Sequence, residues 1–333
     1  MESKCDCEID QALHKILTFD IIRQNRIPAL LCSNNAKLCY DCIIHSIASI
    51  AYCHLGIAQP QVSCTLKNIQ NIHFHFQASY GLSLITLSNR NTLIPFQGVL
   101  QGNGAATTTW VIISTLLLNM LQSARNGGHF QSLVSKERTH LVAFAFVDNT
   151  DLLSLNMIDL NITFDDVATQ MQESIDRWEG GLKTTGGARI PHKSWIYAMD
   201  FEFDSHRKPH FKLIHDLDYQ FNVLDENNIC QPLEKIEYNK GKETLRVFLD
   251  PEVNHEEAAS QLYKKSKEWR DNIKAGHLSR DNAWLAIQST IMKTLEYPLP
   301  ALMLSKQQCT KIMTPVLEGS LAKSQLIEEY QMH

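Results

Sequence analysis

The stretch Leu141-Val142-Ala143-Phe144-Ala145-Phe146-Val147-Asp148 constrains this chain most, because it runs apolar residues straight into a carboxylate. Asn149 and Asp151 follow at once. The pattern reads as a buried strand that delivers an acid to a tight turn. A carboxylate at the end of a core strand is costly unless a partner compensates it, and a divalent cation is a common partner. The chain therefore needs a fold whose core strand ends at an accessible turn carrying Asp148.

A chain of 333 residues can bury a large core and hold two or three subdomains. With 44% hydrophobic and 20% charged residues it has the composition of a soluble globular protein. Its net charge of −5 counts against a free-standing nucleic-acid binder held by backbone contacts, although local basic faces remain compatible with it. Nine cysteines, an odd number without framework spacing, and no secretory segment at the start predict reduced thiols in an intracellular protein. Cys5-x-Cys7 and Cys39-x-x-Cys42 lack a second Cys or His pair at finger spacing, which argues against structural zinc. The longest apolar run, Trp110 to Leu118 with its flanks, falls short of the ~20 residues that span a bilayer, so no membrane segment is expected.

Along the chain, apolar spacing over 9–25 predicts a helix that Pro28 stops, followed by a short buried strand at 29–33. A helix is expected from Tyr40 to about Gly56, with Ile43, Ile44, Ile47, Ile50 and Ala51 inward, and another over 61–75 opened by Pro60. A hairpin region near Tyr80 to Gln97 precedes a long apolar helix over 105–125. The strand–turn–strand at Asp148 leads into an amphipathic helix from Thr163 to about Trp178, and Gly180-Gly181 and Gly186-Gly187 punctuate the next turn. Alternation over 195–203 and 210–250 predicts strands, and the last 80 residues read as helical. The order predicts an α+β fold.

Four segments in register resemble the reverse transcriptases of retroelements. Phe146-Val147-Asp148-Asn149 resembles the aromatic-x-Asp-Asp turn of the polymerase palm, with Asp148 at the catalytic acid and Asn149 in place of the second Asp. Ser33 to Asp41 resembles the first palm motif, where Asn35 matches the metal-binding Asp and Tyr40 the aromatic residue that polices the sugar of the incoming nucleotide. Phe96 to Gly104 resembles the Gln-Gly motif that opens a long helix beneath the template, and Gln101-Gly102-Asn103-Gly104-Ala105 is the form found in a subset of retroelement open reading frames. Gly186 to Ser194 resembles the fourth motif, with Lys193 matching a lysine near the leaving pyrophosphate. Thr244 to Leu249 is similar to the primer-grip hairpin, with Arg246 where Gly is usual.

The resemblance implies a right-hand palm, an antiparallel sheet with helices on one face, followed by a helical thumb-like region. It divides the chain into an N-terminal helix at 1–30, a palm at 31–203, a strand-rich primer-grip region at 204–255 and a thumb-like region at 256–333. It implies RNA template, DNA primer and deoxynucleotide as partners, with Mg2+ held by Asp148 and Asn35. Tyr40, Gln101, Gly102 and Phe146 would line the nucleotide and template, and Asp148, Asn35, Asn149 and Lys193 would form the catalytic set. Fingers motifs do not precede the first palm motif, and a separate fingers-bearing chain is one partner the resemblance allows. Two-metal nucleotidyl transfer needs anionic oxygen ligands, and each acid-to-amide change removes one charge, so impaired catalysis is expected. The alternative is a domesticated, non-catalytic scaffold that binds nucleic acid or protein.

The same residues have plainer uses. Ser33, Asn34 and Asn35 are good capping types for a helix starting near Tyr40. Asp148 could satisfy turn amides, Asp151 reads as a solvent or cap residue, and Asp165 and Asp166 suit the positive end of a helix. Lys264, Lys265, Lys267, Arg270 and Lys274 form either a backbone-tracking face or a solvated one.

Overall fold

Helix α1 (Asp6–Asn25) takes up the first apolar repeat, and the chain passes Pro28 into strand β1 (Ala29–Lys37). The computed structural model describes residues 6–37, 39–88, 97–99, 103–159, 161–225 and 228–324. These fall into two units. One joins Ile27–Asp200 to Ile214–Ile236, and the other joins the residues before Ile27 to Phe201–Leu213 and to those from Glu237 onward.

The first unit continues through α2 (His45–His54), α3 (Gln59–Gln70), the hairpin β2 (Phe74–Ala78) and β3 (Gly81–Leu87), and α4 (Gly104–Ser123). Then come β4 (Gly128–Gln131), β5 (Arg138–Leu141), β6 (Ala143–Phe146), β7 (Asn149–Asn156), α5 (Phe164–Thr184), β8 (Ala188–Arg189) and β9 (Trp195–Met199). An eight-stranded sheet runs in the order Glu234–Ile236, β9, β1, β7, β4, β5, with β6 added to β7 and β8 to β1. β1 is antiparallel to both central neighbours, and only the pairs β4–β7 and Glu234–Ile236 with β9 are parallel. Successive residues face opposite sides of a strand. Leu30, Cys32, Leu152, Ile196 and Ala198 accordingly share a core with apolar residues of α2, α3, α4 and α5. The α+β class read from the sequence is the class observed, with a mixed, mostly antiparallel sheet and a helical C-terminal region.

Several elements depart from the sequence expectation. β1 runs on to Lys37, so Asn34 and Asn35 lie within a strand rather than at a helix cap. The next helix starts at His45, not Tyr40, because the backbone around Tyr40 to Ile43 bonds elsewhere: Val99 N donates to Tyr40 O at 2.8 Å and Gly98 N to Ile43 O at 2.8 Å. Starting five residues later rotates the buried face onto His45, Ala48, Ala51 and Tyr52, which leaves Ile50 65% exposed. α5 extends past Gly180-Gly181 to Thr184. Gly181 is a packing notch rather than a turn, since a Cβ there would stand 2.7 Å from Leu117 Cδ2 of α4. Thr163 and Asp166 form the reciprocal capping box that opens α5. α4 is 20 residues and contains an 18-residue window of mean hydropathy 1.4, long and apolar enough to cross a membrane by length and composition, whereas the sequence reading took only its central run. Seven of its residues, Trp110 and Ile113 among them, are buried.

In the second unit, a hairpin of Lys242–Thr244 and Val247–Leu249 precedes α6 (Glu256–Ala275), α7 (Arg280–Ala286), α8 (Met292–Glu296) and α9 (Lys306–Ser324). α6 buries Ala258, Ala259, Leu262 and Ile273, and it packs against α9, where Ile312 and Val316 are buried.

Candidate active site

The site is built on the two central strands. The register that pairs Ala29 with Leu155 at one end pairs Asn35 with Asn149 at the other. Residues directly opposite on antiparallel strands point to the same face, and Asn35 Nδ2 donates to Asn149 Oδ1 at 3.1 Å. Asp148 precedes Asn149 in the two-residue turn between β6 and β7, and its carbonyl accepts from Ala36 N at 2.9 Å. Positions 35, 148 and 149 are thus brought to one end of the sheet. Val147, the first residue of the turn, holds φ +52°, a region that disfavours a β-branched side chain. The indole Nε1 of Trp110 donates to Val147 O and pins this turn to α4.

Tyr40 and Cys39 lie within electrostatic reach of Asp148. Burial pushes the Tyr40 phenol above its ordinary pKa, opposed by a hydrogen bond with Thr107 and reinforced by the neighbouring Cys39 and the Asp148 charge. Burial and then the Asp148 charge push the Cys39 thiol up to about 12, so it stays protonated near neutrality. A thiol held this way is a poor zinc ligand. Phe146 is half-buried and pairs with Asn149. Lys193 is exposed in the turn Pro191–Lys193, close along the chain to Ile190, whose N donates to Asn35 O at 3.0 Å. Gln101 and Gly102 lie outside the described residues. Their neighbour Asn103 caps α4 by accepting from Ala105 N at 3.0 Å.

Gly98 locks the helix side of the site. It holds φ +86°, and a Cβ there would strike the Asp41 carbonyl. His45 Nε2 donates to Gly98 O at 2.6 Å while His45 Nδ1 accepts from Gln70 Nε2 at 2.9 Å.

Three residues carry more than their sequence context signalled. Asp151 is not a solvent or cap residue: it pairs with Ser33 and Phe144 inside the sheet and is 2% exposed. Its alternation with Asn149 and Leu153 was the available signal, because that puts it on the Asn35 face. Asn34, on the opposite face, is buried and donates through Nδ2 to Cys32 O at 3.0 Å and Thr150 O at 3.2 Å. Arg189, buried opposite Ala36, had no sequence signal beyond its place in the fourth motif.

The donor set decides what the site can hold. Magnesium takes hard, anionic oxygens in a near-octahedral shell. Here one turn carboxylate, Asp148, stands beside two amides that are bonded to each other. Asp151, the next acid along β7, is buried. Among the described residues no group of three or more His, Cys, Asp or Glu side chains is gathered to hold a metal ion. These residues do not fit a two-magnesium centre.

No protein-family model matches the chain, and no curated protein matches it. Among solved structures it is similar to telomerase from Candida albicans in complex with a fragment of telomeric RNA (13% identity, 97% of this chain and 47% of that one, TM-score 0.33). It is also similar to apo telomerase from Candida tropicalis, once as the form truncated from its C-terminal domain (13% identity, 70% and 40%, TM-score 0.31) and once without that truncation (10% identity, 93% and 49%, TM-score 0.33). The chain spans less than half the length of each of these chains.

Proposed function

We propose that the chain is a reverse-transcriptase-like polymerase palm whose metal site has been neutralised. The observation that carries this reading is the Asn35–Asn149 hydrogen bond at 3.1 Å across the central strand pair, beside the Asp148 turn. The sequence resemblance expects a metal-binding acid at position 35 and the second acid of the turn at position 149. The strained Val147 supports it further, because backbone strain concentrates where a turn is held for function. In an intact site the metals would lower the pKa of a primer 3′ hydroxyl and neutralise the triphosphate. In this chain Asp148 supplies one negative charge, and the two amides supply polar oxygens without charge. Loss of even one metal raises the barrier by several kcal/mol, at about tenfold in rate per 1.4 kcal/mol. RNA template, DNA primer and deoxynucleotide are the ancestral substrates under this reading. Primer extension on an RNA template with Mg2+ and with Mn2+ tests it. No incorporation is expected from the wild-type chain, and detectable incorporation would overturn the claim of lost catalysis.

A non-catalytic scaffold is the second reading. α6 favours it, because Lys264, Lys265, Lys267 and Lys274 are exposed along it while Arg270 is paired with Asp271 and Glu318. Such a face suits a phosphate backbone. Binding to an RNA–DNA hybrid should then weaken steeply as salt rises, and an affinity indifferent to salt would exclude backbone docking.

A further inference from the structure

A cavity of about 500 Å³ opens beside β1 and β8, lined by Lys37, Arg189, His192, Ser194, Asp225 and Glu234 among others. β7 lies on one side of β1, and β8 and β9 lie on the other. Ile190, also in the lining, donates through its N to Asn35 O at 3.0 Å, so the cavity adjoins the strand end that carries the Asn35–Asn149 pair without including either residue. Its wall holds an unusual charge. Arg189 is 2% exposed; its Nε donates to Ser194 Oγ at 3.2 Å and its Nη2 to Cys32 Sγ at 3.2 Å. Nη1, also buried, has no hydrogen-bond acceptor. Burial holds the Cys32 thiol above its ordinary pKa, so it supplies no counter-charge at neutral pH. A buried guanidinium without an acid on its own nitrogens is strongly disfavoured unless an anion comes near.

We propose that this cavity binds a small molecule carrying a phosphate monoester, with the phosphate drawn to Arg189, Lys37 and His192. A phosphate offers several charged acceptor oxygens to a guanidinium, an ammonium and a ring N–H together, and Arg is the side chain best shaped to meet it. Asp225 and Glu234 oppose a second anion and select hydrogen-bond donors on the rest of the ligand. The volume admits a ligand up to nucleotide size. The inference shares the Gly186–Ser194 segment with the polymerase reading but uses neither Asp148 nor a divalent metal, so its test runs without one.

Calorimetric titration of the full chain at constant ionic strength, without divalent metal, tests it. The probes are inorganic phosphate, ribose 5-phosphate and adenosine monophosphate, with ribose, adenosine and acetate as controls. Saturable binding of the phosphate-bearing probes alone is expected. It should weaken on the order of tenfold in the double variant Lys37→Ala/His192→Ala, whose side chains form the accessible part of the site, and be lost in Arg189→Met. If Arg189→Met fails to fold, the double variant decides. No saturable heat with any phosphate probe, equal binding of acetate, or unchanged affinity in the double variant would each overturn the proposal.

Discussion

An amide has nearly the shape of a carboxylate but no charge, so Asn35 and Asn149 can bond where two aspartates would repel. Like charges directly opposite on paired strands are destabilising. The double variant Asn35→Asp/Asn149→Asp should therefore lose about 1 kcal/mol or more of stability without metal. It should regain that stability in millimolar Mg2+; urea unfolding with and without the ion reads both effects. Asn34, one residue away, does a different job. Its amide ties β1 to β7 from the core side at Thr150 O. Asn34→Ala leaves buried backbone oxygens less satisfied and should cost about 1–3 kcal/mol, checked by the same unfolding experiment.

At the scale of elements, two turns carry testable strain. The hairpin Lys242–Thr244/Val247–Leu249 closes over Leu245 and Arg246, at φ +50° and +65°. A two-residue turn with both central residues at positive φ favours Gly or Asn. Arg246→Gly should stabilise the chain by about 1 kcal/mol, seen as a higher urea midpoint. Gly98→Ala should do the reverse by several kcal/mol, since its Cβ would meet backbone at Asp41. The strand that ends in Asp148 was legible because its apolar run is bounded by polar turn residues. β1 was only half legible: Ser33-Asn34-Asn35 looks like a cap locally, and its strand conformation is imposed by pairing with β7 and β9. The start of α2 was hidden for the same reason, because Tyr40 and Ile43 bond to residues more than fifty positions away. The burial of Arg189 had no local signature, since it depends on a two-residue strand, β8, docking on Ala36 and Lys37.

For the whole molecule, stability should respond to pH through Asp250, which is 4% exposed. Burial raises its pKa from 3.8 to about 6, against the opposing amide of Asn254. The folded state then holds a proton that the unfolded state releases, so stability falls as pH rises through about 4 to 6. A shift of this size corresponds to roughly 2–3 kcal/mol. Burial lowers the pKa of His255, which works in the opposite direction as its imidazole loses its proton. The difference between wild type and Asp250→Asn, which keeps the neutral form, isolates the Asp250 contribution. Equal pH slopes in the two proteins would contradict it.

Under the proposed function, the Asn35–Asn149 pair beside Asp148 keeps the geometry of a metal site without its charge. Calorimetric titration of Mg2+ into wild type and into Asn35→Asp/Asn149→Asp tests it most directly. No saturable binding is expected at the wild-type site, and saturable binding is expected once both carboxylates stand beside Asp148. A folded double variant that binds Mg2+ no better than wild type would contradict it.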